Sequence, residues 1–339
     1  MRFRGPKGSW WKFAILAPAA LALTGCSGAY PESVFNPAGP VAADQLSLIT
    51  LSFWLMMLVF AVVLALGIYA IVKFRARRGD DRKPSNFNNS PLLEALWILI
   101  PFIIIAVLAY VTVEDNFLIS TNPPPQKSLQ VDVIGHQFWW EFDYPSLGIV
   151  TANELHIPAG EKVNLHITSA DVIHSFWIPR LAGKIDALPG YMNFMWIEAY
   201  KPGVYPGECA EFCGTGHADM RMRVIAETPA AFDAWVNQMK HPTSGDTALE
   251  KKGMADFATL TCATCHTIAG TPYTGKVGPN LTGLGLRQGI AADTLTNTPG
   301  HLAEWLHDPQ AVKPGALMPN LGLSGSDIKA LVAYLESLK

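Results

Sequence analysis

The sequence predicts a multidomain membrane protein with three parts: an N-terminal two-helix transmembrane hairpin, a Greek-key β-sandwich and an all-α C-terminal domain. Two long uncharged runs near the N-terminus predict the hairpin. Short stretches of alternating polarity, separated by Gly and Pro, predict the sandwich. A Cys-x-x-Cys-His motif followed by apolar residues at helical spacing predicts the last domain.

The composition supports this membrane assignment. Hydrophobic residues make up 50% of the chain and charged residues 16%, whereas soluble proteins have about 25% charged residues. The formal net charge of -3, without a basic run among aromatic residues, argues against nucleic-acid binding. All five cysteines fall within local patterns, which favours separate chemical roles over two disulfides and a spare thiol.

The N-terminus predicts a signal peptide over residues 1–25. A basic start is followed by an apolar segment, Phe13–Leu23, that is too short to cross a bilayer. The next residues, Leu23-Thr-Gly-Cys26, resemble a bacterial lipobox, so Cys26 is predicted to be lipidated and to become the new N-terminus. Ordinary cleavage and an uncleaved third span are the alternatives.

The transmembrane hairpin is predicted over residues 40–120, with helices at about 46–72 and 92–113. The uncharged runs Gln45–Val72 and Ala95–Val113 give about 40 Å and about 28 Å of helix, against a bilayer core about 30 Å thick. Basic residues between them predict a cytoplasmic loop: Lys73, Arg75, Arg77, Arg78, Arg82 and Lys83. The later domains are then expected on the outer, periplasmic face of a bacterial cell membrane.

Two residues of the second helix have their own interpretation. Pro101 lies within the apolar run and predicts a bend, because its ring removes one backbone hydrogen bond. Glu94 lies at the cytoplasmic end of the helix. Either an interfacial acid in contact with water or a proton-uptake group fits that position.

The outer domain is predicted over residues 121–240. A rigid spacer, Asn122–Pro125, precedes it. The pattern then changes to period two, which predicts short strands and a sandwich or barrel. The predicted strands are Leu129–Ile134, Glu154–Ile157, Lys162–Thr168 and Phe194–Tyr200.

The end of the outer domain carries a dense group of possible metal ligands. Two thiols, two imidazoles and one thioether come together in the motif and one earlier loop: His174, Cys209, Cys213, His217 and Met220. Soft sulfur with imidazole selects copper, and a weak axial Met is typical of electron-transfer copper sites. Two cysteines four residues apart can each bridge two coppers, and the Glu211 carbonyl can serve as a further ligand.

Other interpretations of these residues are open at this point. Two Cys and two His also suit zinc, although Met220 would then have no role. A Cys209–Cys213 disulfide is possible in an oxidising compartment. The remaining histidines of the domain lie on strand-like segments and are interpreted as structural or exposed: His136, His156 and His166.

The C-terminal domain is predicted over residues 251–339, after a linker over 241–250. Cys262-Ala-Thr-Cys265-His266 is the spacing at which two thiols attach covalently to haem and the histidine binds iron. Met318 is the predicted second axial ligand, since a thioether raises the haem potential. His301 and His307 are alternatives, and a thioredoxin-like dithiol is the rival interpretation. A final helix is predicted over Ser326–Leu338.

These motifs together resemble a known family. His174, the string from Cys209 to Met220, Gly135-His-Gln137 and Lys184-Ile-Asp-Ala-Leu-Pro-Gly190 resemble cytochrome c oxidase subunit II, and the C-terminal motifs resemble a class I cytochrome c. The resemblance implies a cupredoxin fold and a binuclear CuA centre. The implied ligands are His174, Cys209, Glu211 (through its carbonyl), Cys213, His217 and Met220. It further implies magnesium binding by the Glu211 side chain, and a place for Glu94 at the mouth of a proton channel.

The implied function is a one-electron relay within a haem-copper oxidase. Electrons would pass from cytochrome c, or an upstream cytochrome complex, through haem c and CuA to haem in subunit I. Oxygen would be reduced there to water, coupled to proton translocation. The resemblance implies subunit I (haem a and CuB), subunit III and the lipid bilayer as partners. A nitric oxide reductase subunit and a copper carrier or assembly protein are the alternatives. One departure is Phe138, which stands where the family usually has a Trp that receives electrons.

Overall fold

The computed structural model describes residues 30–75, 90–121 and 127–339. The predicted signal peptide with Cys26, the spacer at 122–125 and four basic loop residues lie outside the described residues. Those four are Arg77, Arg78, Arg82 and Lys83.

Two long helices form the N-terminal part, α1 (Pro40–Lys73) and α2 (Pro91–Thr121). Both are apolar enough and long enough to cross a membrane, and almost all their side chains are exposed in the isolated chain. This confirms the transmembrane hairpin. The helices are longer than predicted because the prediction stopped at charged residues. Asp44 near the start of α1, and Glu114 and Asp115 in α2, interrupt an apolar run but not a helix.

The start of α1 is attached to the outer domain. Ala38 donates a backbone hydrogen bond to the Arg180 carbonyl at 2.7 Å, and its own carbonyl accepts one from Tyr200 at 2.8 Å. Near the C-terminal end of α2, the Ile119 carbonyl accepts a hydrogen bond from the Trp196 indole at 3.0 Å. These bonds fix the outer domain next to the ends of the two helices.

The outer domain is a sandwich of two five-stranded sheets, as predicted. The first sheet has the order β3-β2-β1-β5-β8 and the second β4-β10-β9-β6-β7. Pairing is antiparallel except between β1 and β5 and between β4 and β10. The strands are β1 (Gln130–His136), β2 (Trp139–Tyr144), β3 (Ile149–Ala152), β4 (Glu154–Pro158), β5 (Val163–Ser169), β6 (His174–Trp177), β7 (Ile185–Ala187), β8 (Asn193–Ile197), β9 (Gly203–Cys209) and β10 (Arg221–Glu227).

The alternating pattern of the strands produces the core between the sheets. In β1 every second residue is buried, as Val131 and Val133 are, and β5 repeats this with Val163, Leu165 and Ile167. A strand in which apolar and polar residues alternate buries every second side chain, because successive side chains point to opposite faces of the sheet. Helix α3 (Pro229–Lys240) then covers one end of the core.

The C-terminal domain is mostly helical and has a separate core. Its elements are α4 (Ala248–Thr259), the single turn α5 (Cys262–Cys265), the short hairpin β11 (Gly289–Ile290) and β12 (Leu295–Thr296), α6 (Pro299–His307), α7 (Pro309–Val312) and α8 (Gly325–Ser337). Helix α4 begins inside the predicted linker, where Thr247 and Glu250 form a capping box. Helices α4 and α8 are packed against each other at Gly253, next to Ala330 and Tyr334.

This close approach gives a stability prediction. In Gly253→Ala the added methyl would overlap the Ala330 carbonyl oxygen, which is backbone and cannot rotate away. We expect the C-terminal domain to lose about 1 to 3 kcal/mol of stability, the usual cost of overpacking. Pulse proteolysis in urea, followed through a C-terminal epitope, measures it. Gly300→Ala in α6 is the matched control, since nothing lies within 4 Å of its Cβ position; equal midpoints for the two variants would contradict the prediction.

Candidate metal centre and haem cavity

Three neighbouring strands bring the predicted copper ligands together. His174 begins β6 and Cys209 ends β9, while Met220 directly precedes β10. Strand β9 pairs with both of the other two strands, and the Cys209 amide donates to the Met220 carbonyl at 3.0 Å. The sheet therefore places residues that are up to 46 positions apart in sequence at one edge.

The donor atoms form a compact group. Cys209 Sγ lies 3.9 Å from Cys213 Sγ and 3.9 Å from His174 Nδ1. Cys213 Sγ lies 3.6 Å from His217 Nδ1 and 3.7 Å from Met220 Sδ. The Glu211 carbonyl oxygen is 3.3 Å from Cys209 Sγ, whereas the Glu211 side chain is exposed. The site thus presents two thiols, two imidazoles, one thioether and one carbonyl within bonding reach of a small metal cluster.

The protonation of the two thiols is asymmetric. Cys213 lowers the pKa of Cys209 by hydrogen bonding to its sulfur, and His174 and backbone groups act in the same direction. The hydrogen bond and the negative charge of Cys209, together with burial, raise the pKa of Cys213. Two buried thiols at this separation resist a second negative charge, so a bound cation is needed for both to be thiolates.

Asp171 orients His174. Its Oδ1 lies 2.8 Å from His174 Nε2, so the imidazole donates there and keeps the lone pair of Nδ1 facing the thiols. Although burial alone would raise the pKa of Asp171, hydrogen bonds from His174, Gln137 and Val172 lower it. The Asp171 carboxylate is therefore charged and fixes the tautomer in which Nδ1 can bind a metal.

The segment Gln137–Trp140 closes the other side of the site. The Gln137 side-chain amide donates to the Cys213 carbonyl at 2.6 Å. The Phe138 ring lies against Gly214 and Gly216, where any Cβ would approach it within about 3 Å. The Trp140 ring meets the His174 ring edge to face at 5.8 Å. Apolar side chains thus shield the sulfur atoms from water.

A large cavity lies in the C-terminal domain and reaches the sandwich. Its empty volume is about 1410 Å³, which includes space open to solvent. Cys262, Cys265, His266 and Met318 all line it, together with apolar residues such as Leu302 and Leu331. The predicted alternatives His301 and His307 do not line it. The cavity is therefore bounded by the residues expected to hold haem.

His266 has the geometry of an iron ligand. Its Nδ1 lies 2.8 Å from the Pro279 carbonyl, to which the imidazole donates, so Nε2 carries the free lone pair. Burial lowers the pKa of His266, with the Pro279 hydrogen bond opposing that effect. A neutral imidazole with one fixed nitrogen and one free nitrogen is what metal binding requires.

Comparison with known proteins covers all three parts of the chain. Family models match at residues 33–114 (Cytochrome C oxidase subunit II, transmembrane domain), 148–227 (its periplasmic domain) and 250–339 (Cytochrome c). A cytochrome c oxidase subunit 2 from Alkalihalophilus pseudofirmus is 39% identical over 97% of both chains. The chain belongs to the cytochrome c oxidase subunit II family.

A second relative agrees with this membership. A cytochrome c oxidase subunit 2 from a Bacillus species is 36% identical over 98% of both chains. The crystal structure of the periplasmic domain of subunit II of cytochrome oxidase from Bradyrhizobium japonicum is 31% identical, covers 34% of this chain and 96% of that chain, and gives a TM-score of 0.34. Membership implies copper of the CuA type in the sandwich and haem in the C-terminal domain, and the donor sets described above fit both groups.

The structure places the predicted ligands together and adds residues that the sequence did not single out. His174, Cys209 and Cys213 have their ligand atoms within 4.8 Å of one another, and His217 and Met220 approach Cys213. Asp171, three residues before His174, could have been found as a carboxylate near a predicted ligand. Lys313 could not, because a lysine in a loop gives no sign that it will be 3% exposed.

Other sequence interpretations have clear outcomes. His156 is buried and stacks on Trp235, and His136 stacks on Trp139, so both are structural as predicted. His166 is part-buried and lies 3.1 Å from an Asp132 oxygen. The structure has free thiols at Cys209 and Cys213, not a disulfide.

The role of Asp171 can be tested by removing its carboxylate. In Asp171→Ala the His174 ring loses the partner that fixes its tautomer, so we expect copper affinity to fall about 10- to 100-fold. Competition with a copper chelator on the full-length chain measures this. Asp233→Ala, an exposed acid on α3, is the control. An unchanged affinity in Asp171→Ala would show that His174 needs no carboxylate.

Proposed function

We propose that this chain is the electron-accepting subunit of a haem-copper cytochrome c oxidase and carries its own covalently bound haem c. Electrons from cytochrome c or an upstream cytochrome complex would reach this haem, then the binuclear CuA centre, and then haem in subunit I. Oxygen would be reduced to water in subunit I, coupled to proton translocation. The observation that carries the proposal is a cavity lined by Cys262, Cys265, His266 and Met318 and a two-thiol metal site that share the segment Gln137–Trp139 within one chain.

Six residues would hold the copper. Cys209 and Cys213 would bridge the two ions, with His174 and His217 each binding one; Met220 and the Glu211 carbonyl would complete the set. A bound copper pair supplies one-electron redox chemistry at neutral pH. The protein supplies donors from strand ends and from the loop between β9 and β10, and it excludes water with Phe138 and Trp140.

Four residues would hold the haem. Cys262 and Cys265 would each add an S–H across a vinyl group, and His266 and Met318 would bind the iron. Cys262 and Cys265 are free thiols on one turn, α5, which is suited to a double attachment. Attachment to the chain keeps the donor at an effective concentration of about millimolar for the copper site.

Further roles are proposed for three residues. The exposed Glu211 carboxylate would bind magnesium at the interface with subunit I. Glu94, in the first turn of α2, would lie at the mouth of a proton channel. Cys26 would carry a lipid, and the complete complex, with subunit III, would reside in a bacterial plasma membrane with the copper and haem domains on the periplasmic side.

The deciding measurement is the metal content and electron paramagnetic resonance spectrum of the full-length chain, made with copper and haem maturation. We expect two coppers and one covalent haem iron per chain, and hyperfine structure from one electron shared by both copper nuclei. One copper with a localised electron, or zinc, would favour a carrier. Turnover of the assembled complex with oxygen, and not with nitric oxide, would separate an oxidase from a nitric oxide reductase.

Reciprocal cysteine variants test the assignment of thiols. Cys213→Ser removes one bridging sulfur, so we expect the shared-electron signal to disappear while the covalent haem is retained. Cys265→Ser is the matched control in the other direction, with copper retained and one thioether link lost. A shared-electron signal that survives in Cys213→Ser would exclude bridging by this residue.

The second haem ligand is tested through the haem potential. In Met318→Ala the iron would lose a thioether ligand, which raises the potential. We expect the midpoint potential to fall by on the order of a hundred millivolts, because axial ligands set it over a wide range. Redox titration of the haem absorbance measures this, with Met254→Ala, an exposed methionine of α4, as control. Equal potentials would assign the ligand elsewhere.

A further inference from the structure

The C-terminal domain is docked on the sandwich through a polar surface that is largely shielded from water. The hairpin β11–β12 and the loop before Met318 provide one side of it. Strands β4 and β10, the copper loop Ala210–Asp219 and the segment Gln137–Trp139 provide the other. A small apolar contact among Trp139, Ala152 and Ala292 lies within it.

Lys313 is the central residue of this surface. Its side chain is 3% exposed although it lies in a loop. The amino group donates to the Phe138 carbonyl at 2.7 Å and the Asp219 carbonyl at 2.7 Å, both in the sandwich domain, and to the Ala291 carbonyl at 3.3 Å in its own domain. Three carbonyl acceptors match the three donors of an ammonium group. If the two domains separated, the Lys313 amino group would lose the hydrogen bonds to the Phe138 and Asp219 carbonyls.

Two further polar contacts join the same surfaces. Arg223 of β10 forms an ion pair with Asp293 at the tip of the β11–β12 hairpin. The buried carboxylate of Glu154 in β4 accepts backbone hydrogen bonds from Gln288 at 2.8 Å and Gly289 at 2.9 Å. The hairpin tip has left-handed backbone at Ala291, Ala292 and Asp293, which presents its carbonyl and carboxylate groups to the sandwich.

Docking aligns the two redox sites. Lys313 is five residues before Met318 in the loop that lines the haem cavity, and it binds the carbonyl of Asp219, next to Met220 of the copper site. Gly315 of the same loop lies against Thr215 of the copper loop. Phe138 and Trp139 line the cavity from the sandwich side. The surface at Phe138 is therefore covered by the chain's own C-terminal domain.

We propose that Lys313 locks the haem-bearing domain onto the copper-bearing domain, so that the surface at Phe138 serves this tethered donor alone. This rests on the proposed relay from haem c to CuA. Lys313 acts as a positioning residue: it lines the haem cavity but is not one of the proposed metal ligands, and it holds the Met318 loop against the loop that carries Cys213 and His217. A soluble cytochrome must then deliver its electron to the exposed face of the C-terminal domain and cannot reach the copper site directly.

The test follows electron transfer in the intact oxidase complex. A photoexcited ruthenium reductant reduces haem c within microseconds, and absorbance then follows haem c reoxidation and CuA reduction. In the parent enzyme we expect one phase whose rate is independent of solvent viscosity. In Lys313→Met, of similar length but without donors, we expect the docked fraction to fall and the phase to slow about tenfold or more. The slow phase should also become viscosity-dependent, because it then includes domain motion.

Controls separate the lock from general damage. Lys329→Met removes an exposed lysine of α8 and should leave the rate unchanged. Lys313→Arg retains charge and donors and should restore part of the rate. If docking is strong enough to tolerate Lys313→Met, the double variant Lys313→Met/Asp293→Asn should show the slow phase, since Arg223 then loses its charged partner.

The outcomes are distinct for the lock and for the relay. Parent-like, viscosity-independent rates in both Lys313→Met and the double variant would overturn the lock and leave the relay standing. If haem c in the parent enzyme does not pass its electron to CuA, the relay itself fails. Reduction of CuA by soluble cytochrome c before haem c is reduced in the parent enzyme would show that the Phe138 surface is open, and would contradict the proposal.

Discussion

The pairing of β9 with β6 on one side and β10 on the other is the constraint on which the metal centre depends. Backbone hydrogen bonds from Cys209 to Met220 and from Ala210 to Ser175 hold the two ends of the copper loop and the start of β6 in register. Donor atoms from three strands are then preorganised, and an electron can arrive or leave with little movement of the ligands. Glu211 and Cys213 lie on the irregular backbone of the copper loop, and His217 begins the short 3-10 turn of the same loop.

A second constraint acts between domains. A tether alone gives a high local donor concentration but no fixed orientation. The docked surface adds orientation through buried groups that have their partners on opposite domains, namely Lys313, Glu154 and the Arg223–Asp293 pair. Because unpaired buried polar groups are costly, these contacts favour one arrangement over many.

The attachment of the hairpin to the sandwich has a parallel role towards the membrane. Gly39 precedes α1 at a point where a side chain would overlap the backbone of Glu198, and Val41 and Ala42 are buried against the sandwich. Helix α1 therefore begins within the packing of the outer domain, and α2 ends beside it. The metal site is therefore held at a set distance from the outer ends of the two helices.

The sequence by itself determined the architecture and the donor set of this protein. Charge-free runs specify membrane helices, and period-two segments specify the sandwich. The ligands within Cys209–Met220 and Cys262–His266 are close together in the sequence, so their chemistry can be predicted without knowing the fold. The start of α1 and the end of α2 were predicted several residues too short, because single charged residues near the ends of a membrane-spanning segment do not stop a helix. Only the tertiary structure decided what long-range packing brings together: Phe138 against Gly216, and Lys313 between two domains. No local pattern distinguishes such residues, since their burial and partners come from segments up to 175 positions away.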